Sequence, residues 1–162
     1  MRRAMVAGFA ALILLAATGM AESPAGPVPY PDGFRRWVHI KSAVNDPAHA
    51  AFGRYGGMYS VYANARALKG YRTGRFPDGA TIVFEMNSVR TKDDNTQALG
   101  RSFIDVMTRD ARRSDTGGWG FEEFEGSTRN VRNVSSRHGE AGCFGCHVTQ
   151  KARDYVYSSF AE

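Results

Sequence analysis

Beyond its first 21 residues the sequence has no apolar stretch long enough to cross a bilayer, which takes about 20 residues. It has no internal repeat and no second shift in composition, so its 162 residues are expected to form one domain with a modest core. Basic stripes are missing too. The arginines are spread along the chain among Asp and Glu, which argues against a nucleic-acid surface. Cysteine is down to two residues, Cys143 and Cys146, and no methionine, histidine or further cysteine follows His147.

What is present begins with "MRRAMVAGFAALILLAATGMA". Arg2 and Arg3 precede an apolar run from Ala4 to Ala17, and small residues precede Glu22. This is the layout of a secretory signal cleaved after Ala21, since the run is short for a lasting anchor. Removing residues 1–21 takes away two arginines and no acid, so the formal charge falls from +5 to +3. A soluble protein exported to the bacterial periplasm, with no stable membrane insertion, is the expectation. Residues 22–33, "ESPAGPVPYPDG", hold four of the six prolines and read as an extended leader over the surface. The domain proper is expected over 34–162.

Within it, "FRRWVHIKSAV" fits either a strand or a short helix. Met58 to Tyr62 reads as a strand and Ala63 to Tyr71 as a short helix left at Gly74. A Pro-Asp-Gly turn at 77–79 launches a strand from Thr81 to Val89, in which Ile82, Phe84, Met86 and Ser88 share one face and Glu85 takes the other. "SFIDVMTRDARR" and "GWGFEEFEG" read as two more strands around "SDTGG", with a helix over Ala98 to Arg112 as the alternative for the first. Arg101, Arg109, Arg112 and Arg113 read as solvated faces. The predicted class is α+β, mainly antiparallel sheet with a few short helices. The motif below is expected at the start of a C-terminal haem-attachment helix.

Cys143, Cys146 and His147 spell C-x-x-C-H, the attachment sequence of a c-type haem. Two thiols must reach the two vinyl groups at one edge of the ring, and two intervening residues allow that reach on one helical turn. The adjacent imidazole then meets the iron from the same side. A redox pair or a simple disulfide has no use for that histidine, and no βαβ pattern surrounds the motif. One haem c, with Cys143 and Cys146 as thioethers and His147 as proximal ligand, is the expected cofactor.

The other side of the iron must be built upstream. The candidates are His39, His49, His138, Met58, Met86, Met107 and the lysines 41, 69 and 92; Met86 leads because it shares a face with Phe84. A site with no sixth ligand, lined by phenylalanines, is the rival.

The sequence resembles the cytochrome P-460 / cytochrome c′-beta family. The resemblance rests on "YPDGFRRWVHI", "FGRYGGMYSVYANARALKGYRTGRFPDGATIVFEMNSV", "GGWGF" and the final "CFGCH…DYVYSSF", from Tyr30 to the end. It implies a mostly antiparallel β fold, a homodimer and a five-coordinate haem on the proximal histidine. In the cytochromes P-460, which oxidise hydroxylamine, a lysine five residues beyond the Pro-Asp-Gly glycine cross-links to the haem. Here that position is Phe84. The c′-beta branch instead caps the distal side with phenylalanines, which by resemblance are Phe84 and Phe52. The implied function is binding of gaseous ligands, chiefly nitric oxide and also CO, under an apolar cap that offers no hydrogen-bond donor. The alternatives are oxidation of hydroxylamine or NO, and electron transfer to a redox partner protein through six-coordinate iron.

Overall fold

The computed structural model describes residues 25–130 and 139–160; the expected signal sequence and His138 lie outside the described residues. Five strands form one antiparallel sheet in chain order: β1 (Val38–Asn45), β2 (Gly57–Ala63), β3 (Thr81–Lys92), β4 (Asn95–Arg109) and β5 (Trp119–Glu125). With three short helices among the described residues beside it, the fold is α+β. No helix among the described residues is long and apolar enough to cross a membrane.

"FRRWVHIKSAV" satisfies both of its readings in succession, as a single 3-10 turn (Phe34–Arg36) followed by β1. Helix α1 (Phe52–Tyr55) is one turn; α2 (Ala65–Thr73) begins where the Asn64 side chain accepts Ala67 N–H at 2.8 Å and ends at Gly74, φ +74°. The stretch from Ala98 is strand, not helix, because β3 and β4 turn over tightly. Asp93 and Asp94 both take positive φ in a two-residue loop, the geometry that matches strand twist.

Cross-strand partners point to the same side, so the register sorts the sheet into rows. On the front face one row runs Ala63–Ile82–Met107–Phe121 and the next Val61–Phe84–Asp105–Glu123. A third follows, Tyr59–Met86–Phe103–Glu125. Helix α2, the turn before β3 and the C-terminal segment cover this face, burying Ala67, Phe76, Trp119 and Val156. Trp119 is fully buried, its ring centroid 5.5 Å from that of Phe76, with the Arg109 guanidinium above it. Among the described residues its Nε1 has no hydrogen-bond partner.

The back face carries Val83, Ile104, Val106 and Phe124, covered by Val28, Tyr30 and Phe34. The leader therefore packs into a core rather than merely crossing the surface. Three of the four arginines expected to be solvated are held in the fold, Arg113 by donating to Gly26 O in the leader. Arg101, its side chain only 7% exposed, lies 3.8 Å from Glu85 and donates to Tyr30 Oη at 3.1 Å. Arg109 donates to Gly117 O at 2.8 Å. Interleaved charges in a sequence do not say which of them the sheet turns inward.

The C-x-x-C-H motif closes helix α3 (Gly139–His147) instead of opening a helix, and a 3-10 segment, Val148–Arg153, follows. The cause is local. Thr149 Oγ1 and Tyr157 Oη both donate to Cys146 O at 2.9 Å, occupying the carbonyl that a continuing helix would use.

Candidate functional site

Spacings of three and four residues put Cys143, Cys146 and His147 on one side of the last turn of α3. Cys143 is half-buried in the front-face cluster with Phe84, Phe144 and Tyr155, whereas Cys146 is exposed. Neither is in a disulfide. Burial first, then the Asp105 carboxylate, pushes the Cys143 thiol up to about 11, with Arg54 opposing.

The His147 imidazole lies between the rings of Phe121, at 5.0 Å, and Tyr157, at 5.2 Å. Its Nδ1 sits 2.7 Å from Tyr155 O. A carbonyl can only accept, so the proton is on Nδ1 and the lone pair is left on Nε2. Burial lowers the imidazole pKa, and the Tyr155 carbonyl works against that shift. The neutral ring that results is the form that binds a metal.

Phe84 is half-buried at the centre of an aromatic cluster. It stacks on Tyr59 at 4.9 Å and on Phe103 at 6.5 Å, and meets Tyr55 edge-on at 5.7 Å. Phe52 lies elsewhere: it opens α1, is 39% exposed and folds back over Gly56. The ring that α1 presents to Phe84 is Tyr55. Met86 shares the Phe84 face and is 1% exposed, one row further on.

The other residues named from the sequence are scattered. His39 is exposed on β1, bonded to Ser42 Oγ at 2.7 Å, and His49 is exposed in the turn before α1. Met58 alternates with Ser60 and Tyr62 toward the back face, and Met107 is buried in the front core between Ile82 and Phe121. Lys41 is half-buried on β1, while Lys69 on α2 and Lys92 at the hairpin tip are exposed. Glu85 does face away from Phe84, toward Arg35 and Arg101.

Sequence reasoning missed a polar network beside Phe84. Asp105 is its cross-strand neighbour on β4, and Glu123 is the next residue in the row on β5. Arg54 Nη2 donates to Glu123 Oε2, and the Asp105 carboxyl lies close enough to Glu123, Tyr55 and Arg54 to feel their charges. Burial is the first cause, and the neighbouring carboxyl the second, that holds the Asp105 pKa well above the ordinary carboxylate range. Burial, followed by the Asp105 charge, likewise pushes Tyr55 up to about 12. Polar groups of Tyr55, Asp105 and Arg54 thus stand near the Phe84 ring. The available signal was an acid at an apolar position of the alternation, Asp105 between Phe103 and Met107.

The residues present fit a haem. One turn of helix offers two thiols outside any disulfide and an imidazole whose Nε2 carries the lone pair, and the flanking cluster is apolar and aromatic. Among the described residues no group of three or more His, Cys, Asp or Glu side chains converges as a metal site. A family model, Cytochrome P460, matches residues 31–158. No curated protein matches the chain.

Proposed function

The chain belongs to the cytochrome P460 family of haem-binding cytochromes, and from that premise we propose a mono-haem c-type cytochrome whose iron stays five-coordinate and binds nitric oxide. In this reading Cys143 and Cys146 hold the haem covalently, His147 is the proximal ligand and Phe84 caps the opposite side. The haem supplies iron able to take a diatomic ligand. The chain's residues decide what reaches it. The observation that carries the proposal is Phe84 within its ring cluster, at the position where the cross-linking relatives have lysine. A phenyl ring has no nitrogen to cross-link and no lone pair to ligate iron, and Tyr55, Tyr59 and Phe103 hold it in place. The role would be NO binding, scavenging or sensing, with CO as a second ligand of the ferrous state. Export to the periplasm follows from residues 1–21, and the homodimer follows from the family resemblance.

Absorption spectra of the oxidised and reduced protein, with and without CO and NO, test it. The expected result is high-spin iron that binds both gases. A low-spin, six-coordinate ferrous spectrum without added ligand overturns the proposal. In the variant Phe84→Lys, a covalent lysine–haem bond detected by peptide mass spectrometry is expected if position 84 faces the ring.

The Asp105–Glu123 pair favours a second reading, oxidation of hydroxylamine. That reaction releases protons together with electrons, and the Asp105 carboxyl, its pKa held high in the row beside Phe84, is a group that could take up and pass on a proton. Formation of N₂O from hydroxylamine with an added electron acceptor would establish it, and an Asp105→Asn variant as active as the wild type would remove the pair from it.

A further inference from the structure

Resting on the reading of His147 as the iron's ligand, we infer that Asp154 is a positioning residue for that histidine, anchoring a left-handed corner that aims the Tyr155 carbonyl at Nδ1.

The corner is unusual as backbone. Asp154 and Tyr155 follow each other at φ +52° and +66°, a conformation that side chains other than glycine rarely take. Asp tolerates it because its short polar side chain bonds locally or nearby; Tyr has no such advantage. Two such residues in a row persist only where their surroundings over-determine them. The ties here are specific. Asp154, buried, accepts Phe76 N–H on Oδ2 at 2.8 Å, across 78 residues of chain. Tyr155 N–H donates to Gln150 O at 2.9 Å, and the Tyr155 ring packs on Phe144 at 5.4 Å. A Cβ on Gly117 would come within 2.5 Å of that ring, so the chain there has to be glycine.

Phe76 is a firm anchor. Its ring meets Tyr71 at 5.1 Å and Trp119 at 5.5 Å, and it fills the space over Gly70 that any side chain at that position would need. The line of force therefore runs from the sheet core through Phe76 N–H, the Asp154 carboxylate and the Tyr155 carbonyl to His147 Nδ1. A hydrogen bond from Nδ1–H to an acceptor fixes the tautomer and ring angle of a ligating histidine and raises its basicity. The Tyr155 carbonyl has that role, and Asp154 acts through it.

The test compares haem-loaded wild type, Asp154→Gly and Asp154→Asn by resonance Raman spectroscopy of the ferrous protein and by redox titration. Glycine takes the left-handed corner freely, so D154G removes the anchor without a backbone penalty. Asparagine keeps an oxygen for Phe76 N–H. The expected result is an iron–histidine stretch at lower frequency and a higher reduction potential in D154G, with D154N close to wild type. If D154G matches wild type in both readouts and loses only thermal stability, Asp154 is merely structural and the inference fails. If D154N moves as far as D154G, the carboxylate charge and not the anchoring hydrogen bond is responsible, and the inference also fails. A wild-type ferrous protein that is high-spin and five-coordinate yet shows no iron–histidine band overturns the reading of His147 itself, and this inference with it.

Discussion

Glu85 and Asp105 stand on adjoining strands, Glu85 buried and facing the back of the sheet, Asp105 half-buried and facing the front. Glu85 has two arginines. Arg35 Nε and Nη2 both donate to its Oε1, at 2.9 and 2.5 Å, and Arg101 lies behind it. Asp105 has the Glu123 carboxyl beside it in the row, and among the described residues Arg54 bonds that neighbour at Oε2. The same side-chain chemistry gives an ion cluster on one side and, on the other, a carboxyl whose pKa burial and a neighbouring acid hold high.

Breaking the back-face cluster should have the largest effect. Glu85→Ala leaves Arg101 buried without its counter-charge, and the loss expected is about 3–5 kcal/mol, read from urea denaturation of the haem-loaded protein. Arg35 is mostly exposed, so Arg35→Ala should cost much less.

The front face should respond to pH instead. Because the Asp105 pKa is raised in the fold, its contribution to stability is complete in acid and is lost as pH rises through the folded value. That loss runs at up to about 1.4 kcal/mol per pH unit per proton. Asp105→Asn should flatten this slope in thermal melts taken from mildly acidic to alkaline pH. A slope left unchanged would mean that the Asp105 pKa is not raised.

The smallest effect concerns the two thiols. Cys143 lies over the acidic face, half-buried with its pKa pushed up to about 11, while Cys146 is exposed. In haem-free chain at neutral pH, iodoacetamide should label Cys146 well before Cys143, and Asp105→Asn should narrow the gap. Peptide mass spectrometry over a time course reads both.

The strands were legible because their signal is local. Ile82, Phe84 and Met86 alternate with Val83 and Glu85, and Gly74 and Pro77–Gly79 punctuate the chain where it turns. The cofactor motif was legible for the same reason, being five consecutive residues. The Asp105–Glu123 pair was not, since two residues eighteen apart become neighbours only through the β4–β5 register. Nothing local tells that Arg101 is buried, because a guanidinium reads as surface until Glu85 is known to lie behind it. Phe52 and Tyr55 differ by three residues, and only the single turn of α1 decides which ring meets Phe84. Local pattern carried the elements, while side-by-side placement across strands made the chemistry.

Trp119 gives the molecule an optical gauge. An indole sealed from water, with no hydrogen-bond partner among the described residues, emits at the blue end of the tryptophan range. It belongs to the same cluster as Cys143 and Tyr155, so a porphyrin attached to Cys143 would sit close enough to drain its excited state. The blue component of the emission, distinct from that of the partly buried Trp37, would then come from chains that have not received their haem, and its decay during maturation would time the loading.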